Sequence, residues 1–390
     1  MSEKTLPPEN PATRFWDWVE KFQGSHTDLS PNREAGVSGL KVMRKILEPH
    51  WVISNVTHPL ANRFPVAYDP NYVWFSSFAK MLVECQRIPG SQDVISKLGI
   101  PEKYFSASFE LDFALKVRLY KIPCQFVAQA LDPTPDLRLE IGGSVCHAEV
   151  TSLNPSEQSD IELQAFHWLT VGMMPYHCVC GGALYSVRNL DDLEKVKVTV
   201  EGAIKEAVET RQLVRRNIPG LLTYYVVREE QSELMPAKWL GHFESGSSTP
   251  RPTKDKIVKK IGRKATNQLA LGESSVLIVY DMFSSTEQIH ELANNHDIVV
   301  KVETIPNLAA VVLIHKPLRS ENLEPRVDSG WGTTIIEHSL PNSESESCVV
   351  WESSGDKHAE VINALRTCLV DFPARLRSML EAEPVNLAQE

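Results

Sequence analysis

Two carboxylates in a short, largely apolar stretch are the residues best placed to do chemistry. The run PDLRLEIGGSVCHAEVTSL, residues 135–153, alternates Leu137, Leu139 and Ile141 against Asp136, Arg138 and Glu140, then supplies a second run after Gly142-Gly143. Strict alternation on both sides of a Gly-Gly pair predicts a β-hairpin with a two-residue turn. That turn sets a register in which Asp136 lies directly across from Glu149. Like charges facing each other across a sheet repel, so the arrangement calls for a compensating cation. A divalent metal supplies one: two carboxylates, a backbone carbonyl and waters form the hard oxygen set that Mg²⁺ accepts, commonly completed by phosphate oxygens. Such an ion orients water for attack on a phosphodiester and stabilises the developing charge. Plainer readings stand beside this one. Asp136 after Thr134-Pro135 suits a turn, and Glu149 between Ala148 and Val150 needs a partner that a salt bridge to Arg138 would also provide.

The elements that must hold these residues follow from hydrophobic periodicity. TRFWDWVEKF, GLKVMRKILEPHW, NYVWFSSFAKMLVECQRI and SQDVISKLGI make the first hundred residues a helical section. In the next stretch Phe109, Phe113, Val117 and Tyr120 recur at helical spacing until Pro123, where the strand-like CQFV begins. With the hairpin, the local order becomes helix, strand, strand, strand. Residues 154–192 are ambiguous, with PYHCVCGGALYSV strand-like. LEKVKVTVEGAIKEAVETRQLVRRN reads as one long helix ended by Pro219-Gly220, and LLTYYVV as a buried strand. A Ser/Pro-rich loop, 243–253, leads into the basic helix KDKIVKKIGRKATNQLA, then SVLIVYD, TEQIHELANN and LAAVVLIH alternate strand, helix and strand, as in a partly parallel sheet flanked by helices. Residues 319–355 read as irregular chain with short strands, and the last helix is expected to be interrupted at Pro373.

Glu110 in a helix, Pro135-Asp136 opening a strand and Glu149-Val150-Thr151 closing the next together resemble the PD-(D/E)xK, or restriction endonuclease-like, nuclease superfamily. The resemblance spans residues 105–228. It implies an α/β fold with a core of helix, three-stranded antiparallel meander, helix and strand, a helical N-terminal section over 1–100, a core over 101–318 with an insertion at 154–192, and a C-terminal extension over 319–390. It further implies Mg²⁺ or Mn²⁺ held by Asp136 and Glu149, with Glu110 assisting. One position departs from the pattern: Thr151 stands where the family usually has lysine. Some branches of that superfamily are similar in recruiting a lysine or glutamine from the following helix, which makes Lys205, then Arg211, the expected replacement cation, with Gln212 supporting.

Other features are weighed against blander explanations. Lys205 also fits i,i+4 pairing with Glu201 or Glu209, and Glu110 an exposed helical charge. HCVCG, with His177, Cys178, Cys180 and the earlier His167, spaces its cysteines too closely for an ordinary zinc site, so the two thiols are expected to pack as small apolar groups. Lys256, Lys260, Arg263 and Lys264 gather near one helical face, where a phosphate backbone could dock. The chain has 390 residues and a formal net charge of −10, which argues against coating nucleic acid by bulk charge but leaves a local basic groove open. Seven scattered cysteines and the polar N-terminus imply reduced thiols and a soluble, cytoplasmic protein. The expected function is metal-dependent hydrolysis of phosphodiester bonds in DNA or RNA. A catalytically silent binding or assembly module on the same fold, and an unrelated α/β enzyme with a small-molecule substrate, are the alternatives.

Overall fold

The computed structural model describes residues 15–17, 19–20, 23, 31–51, 58–62, 69–128, 134–153, 161–162, 164–166, 168–169, 176, 178–245, 258–260, 262–264, 273–282, 284, 286–293, 295–316, 323–330, 332–342 and 344–382. The described helices are α1 (Arg33–Leu47), α2 (Asp69–Gln86), α3 (Ser91–Lys97), α4 (Tyr104–Leu119), α5 (Leu190–Thr210), α6 (Thr286–Ala293), α7 (His296–Thr304) and α8 (Ala359–Glu381). The strands are β1 (Cys124–Phe126), β2 (Leu137–Ile141), β3 (Ser144–Ser152), β4 (Cys178–Leu184), β5 (Val214–Ile218), β6 (Leu222–Arg228), β7 (Phe243–Ser245), β8 (Ser274–Asp281), β9 (Leu308–His315), β10 (Arg326–Gly330), β11 (Thr333–Ser339) and β12 (Ser345–Glu352). No helix among the described residues is long and apolar enough to cross a membrane.

The chain divides into two compact units, one of residues 1–72, 98–104 and 155–251, the other of 73–97, 105–154 and 252–390. The second unit is built on an eight-stranded mixed sheet ordered β1-β2-β3-β8-β9-β12-β11-β10. β1, β2 and β3 form an antiparallel meander, β8 joins β3 in parallel and β9 joins β8 in parallel, and β12, β11 and β10 finish it antiparallel. β8 and β9 read VLIV and AAVVLI because helices cover both their faces. On one face, Leu277, Val279, Val311, Leu313, Val349 and Trp351 pack with α6 and α7. On the other, Phe109 of α4 stacks on Tyr280 at 4.4 Å, and α8 packs against β2, β9, β11 and β12.

The hairpin register is the expected one: Leu137 pairs with Ala148 and Arg138 with His147. Gly142 and Gly143 have φ of 58° and 82°, the doubly left-handed turn whose twist matches the strands and which residues with a Cβ resist.

Several segments differ from the sequence reading. The long helix expected from Leu193 to Asn217 ends at Thr210, where Arg211 takes a left-handed conformation, and Val214–Ile218 forms β5, alternating buried and more exposed residues. Residues 319–355, expected as irregular chain with short strands, include β10–β12, which complete the large sheet, and every residue of β12 is buried. The break expected at Pro373 does not occur: α8 runs through it, held by Phe372 and Leu376 on either side of the proline, both packed against Leu340.

The insertion expected at 154–192 is larger in the fold. The chain leaves the large sheet after β3 and returns for β8, and the intervening residues 155–251 belong to the other unit. There β5-β6-β4-β7 form a second sheet, and α5 buries Val196, Val200, Ala203 and Ile204 against Cys180, Tyr224 and Val226. The helix at 190–210 and the strand at 222–228, expected as the last helix and strand of the core, therefore belong to this unit. In the large sheet β8 occupies the place beside β3.

Candidate carboxylate site

Asp136 stands just ahead of β2. Its backbone N–H donates to Ala148 O at 3.1 Å, and its Oδ2 accepts from Val150 N–H at 2.8 Å. The side chain thus binds the neighbouring strand, which fixes it beside Glu149. Glu149 is buried, its side chain only 5% exposed, and Oε1 accepts from Lys264 Nζ at 3.0 Å. Arg138 is not its partner, because Arg138 pairs with Glu140 at 2.6 Å. Glu110, from α4, is also buried and accepts from Ser106 Oγ at 3.2 Å.

The three acids act on one another. Burial pushes the Glu149 carboxyl up to about 7, Asp136 and Glu110 add to the rise, and Lys264 opposes it. Burial likewise pushes Glu110 up to about 7, reinforced by Asp136 and opposed by Lys97 and Ser106. Both groups would rather be neutral where they sit, the signature of carboxylates gathered faster than their cations.

The basic segment behind Glu149 resolves into two sides. Residues 258–260 and 262–264 are helical, and Val258 packs on the core beside Leu153. Lys264 meets Glu149, and Lys260 Nζ donates to Ser152 O on the same strand. Burial, with Lys264 and Arg263 nearby, lowers the Lys260 ammonium to about 8. Lys259 and Arg263 are exposed. Spacing on the helix accounts for the division, since i and i+4 share a side. Of the four cations expected to meet phosphates, Lys264 turns to Glu149 and Lys260 to the Ser152 carbonyl instead, Arg263 faces solvent, and Lys256 lies outside the described residues.

The structure does not bring every expected residue to this place. Thr151 is buried on the strand, two residues past Glu149 and on its face. Lys205 and Arg211 are exposed in the other unit, and so is Gln212, beyond the end of α5. The cation beside Glu149 comes from the basic helix, a position that sequence reasoning assigned to nucleic-acid docking. Its signal was present: a lysine-bearing helix immediately before the strand SVLIVYD.

Cys178 and Cys180 are buried in the core of the smaller sheet, with Cys180 Sγ 3.3 Å from Leu169 O, as expected of small apolar groups. His167 and His177 lie outside the described residues.

Comparison of the chain with family models, with characterised proteins and with solved structures gives no match.

Among the described residues, no group of three or more histidines, cysteines and acids is arranged to hold a metal ion. The Asp136–Glu149 pair has the right donor chemistry for a hard cation that keeps most of its waters, and a divalent ion there would favour the charged carboxylates against the burial and repulsion that raise Glu149 and Glu110. The residues present fit such an ion as a two-carboxylate site, with solvent or a phosphate completing the shell.

Proposed function

We propose that this protein is a metal-dependent nuclease of the restriction endonuclease-like type, hydrolysing phosphodiester bonds in DNA or RNA. The observation that carries the reading is the convergence of Glu110, Asp136 and Glu149 into one cluster of mutually repelling carboxylates with Lys264 on Glu149. The order of elements supports the reading: α4, the β1-β2-β3 meander, the helical residues 258–260 and 262–264, and then β8 parallel to β3 run in the sequence helix, meander, helix, strand that this reading calls for.

Asp136 and Glu149 would hold Mg²⁺ or Mn²⁺, which when bound supplies charge neutralisation and an acidified water. The protein's own groups supply the rest. The Val150 amide fixes Asp136. Glu110, with its proton affinity raised towards neutrality, can exchange a proton near pH 7. Lys264 brings a positive charge to the site that Thr151 lacks, while Lys260, lowered to about 8, is a second amine able to give up a proton near neutral pH. The exposed Lys259 and Arg263 face outward, where a phosphate backbone would lie.

The Lys264–Glu149 ion pair also favours a second reading, in which that lysine replaces the metal and the module binds without cutting. The two are separated by incubating purified protein with plasmid and with single-stranded DNA in Mg²⁺ or Mn²⁺. Under the nuclease reading both metals support cutting, and Asp136→Ala and Lys264→Ala each reduce it by two orders of magnitude or more. Under the second, no cutting occurs with either metal.

A further inference from the structure

The smaller sheet has one face buried by α5. The other carries a row of aromatic rings and cations that neither the core nor the carboxylate site explains. Strand alternation separates the faces: Tyr224 and Val226 point into the α5 core, so Tyr225 and its cross-strand partner Arg215 point away, as do Thr223 and its partner Asn217. The Arg215 guanidinium sits 5.5 Å from the Tyr225 ring centre. Tyr225 stacks on Trp239 at 6.1 Å with 18° between the planes, and Lys238 Nζ lies 4.4 Å over Trp239. The row therefore reads cation, ring, ring, cation. Beside it, Thr223 Oγ1 donates to Asn217 Oδ1 at 2.9 Å and contacts the Tyr185 hydroxyl at 3.3 Å, while the Tyr185 residue is 45% exposed.

Packing alone does not account for the row. Tyr225 and Trp239 are half-buried, and Arg215 and Asn217 exposed. Lys238 pairs with Glu244 at 3.1 Å, but Arg215 has no carboxylate partner among the described residues, on a chain whose formal net charge is −10. Each ring's outer face is covered by a cation on a flexible side chain, so a nucleobase that displaces Arg215 or Lys238 stacks on the ring while the released cation meets a phosphate of the same strand.

We infer that this face is a stacking platform for single-stranded nucleic acid, with bases on Tyr225 and Trp239 and phosphates at Arg215 and Lys238. The inference rests on the nuclease reading for the class of partner and extends it to a second, non-catalytic contact in the inserted unit. The full chain is tested in EDTA, where cutting is suppressed, by fluorescence anisotropy with a labelled twelve-nucleotide oligo-dT. Tyr225→Leu and Trp239→Leu are each expected to weaken binding about tenfold or more, and Tyr225→Phe to bind as the parent does. Arg215→Gln is expected to reduce the salt dependence by about one phosphate contact. Parent-like binding by Tyr225→Leu with an unchanged melting temperature overturns the platform, as does equal loss in Tyr225→Phe. Should Tyr225→Leu lower the melting temperature, Arg215→Gln alone decides, because its side chain is exposed; an unchanged salt slope then overturns the inference. Cutting in Mg²⁺ by a chain whose Tyr225 and Arg215 variants bind normally retains the nuclease reading and rejects this one. Platform-dependent binding without cutting does the reverse.

Discussion

Replacing Glu110 by Gln should stabilise the protein increasingly as pH rises above about 4.5, with the gain levelling off above about 7. Glu110 is buried, and its carboxyl moves from an ordinary 4.5 to about 7, chiefly through burial and the Asp136 charge. A raised carboxyl pKa means that the native state binds the proton more tightly than the unfolded chain does. The contribution is therefore fully present below about 4.5 and is lost as pH rises through 7. At ~1.4 kcal/mol for each pH unit of displacement, the loss reaches about 3 kcal/mol at pH 8. Gln keeps the shape and still accepts from Ser106 Oγ, but has no charge to bury. Urea unfolding should give matching stabilities for parent and Glu110→Gln at pH 4.5 and a variant more stable by about 2–3 kcal/mol at pH 8. The reasoning is refuted if the difference does not change with pH, or if the variant gains more on the acid side.

Glu149, pushed up to about 7 by the same causes, yields a metal prediction: millimolar Mg²⁺ at pH 8 should raise the melting temperature of the parent and leave Glu149→Gln/Asp136→Asn unmoved, as read by differential scanning fluorimetry. Lys264→Met, which takes the cation from Glu149, should push the Glu149 titration further towards alkaline pH when followed by carbon NMR of the carboxyl; a downward move would contradict the assigned pairing. Lys116→Met should destabilise the large-sheet unit by about 3–5 kcal/mol, because it leaves Asp112 and Glu346 buried with one cation fewer, measured by urea unfolding at pH 7. Gly143→Ala should cost about 1–2 kcal/mol, since φ of 82° is strained for any residue with a Cβ; nothing lies within 4 Å of the added methyl, so steric crowding is not a competing cause.

The parts of the fold legible in the sequence were those set by local rules. Gly142-Gly143 between two alternating runs dictated the turn, the register and so the meeting of Asp136 with Glu149. Apolar spacing likewise revealed α4, and the uninterrupted runs of β8 and β9 announced strands covered on both faces. What stayed hidden depended on partners distant in the chain. SESCVVWE looked too polar for a buried strand until Lys116 came to neutralise Glu346 from 230 residues away. The RQLVRRNI segment carried on a helical composition after α5, although pairing with β6 makes it a strand. Lys264 was visible as a cation, but its assignment to Glu149 required knowing that β8 lies beside β3, which brings the helix before β8 over the odd-numbered face of β3.

The large-sheet unit contains two acid clusters, and the contrast between them is what singles out the carboxylate site. On the α4 side, Asp112 meets Lys116 and Lys316, each at 2.6 Å, and Tyr280 at 2.5 Å, while Glu346 meets Lys116 at 2.9 Å. Two lysines answer two acids, and both carboxyls are held below their ordinary range despite complete burial, chiefly against that burial by Lys116. Glu110 lies two residues from Asp112 on the same helix, yet it and Glu149 move the opposite way. One buried acid pair is neutralised fully, whereas at Glu110 and Glu149 burial outweighs the charge that Lys97 and Lys264 bring. The first cluster anchors α4 to β8 and β12 and thereby fixes where Glu110 stands. The second holds Glu110 and Glu149 raised towards neutrality, the property on which the proposed metal site rests.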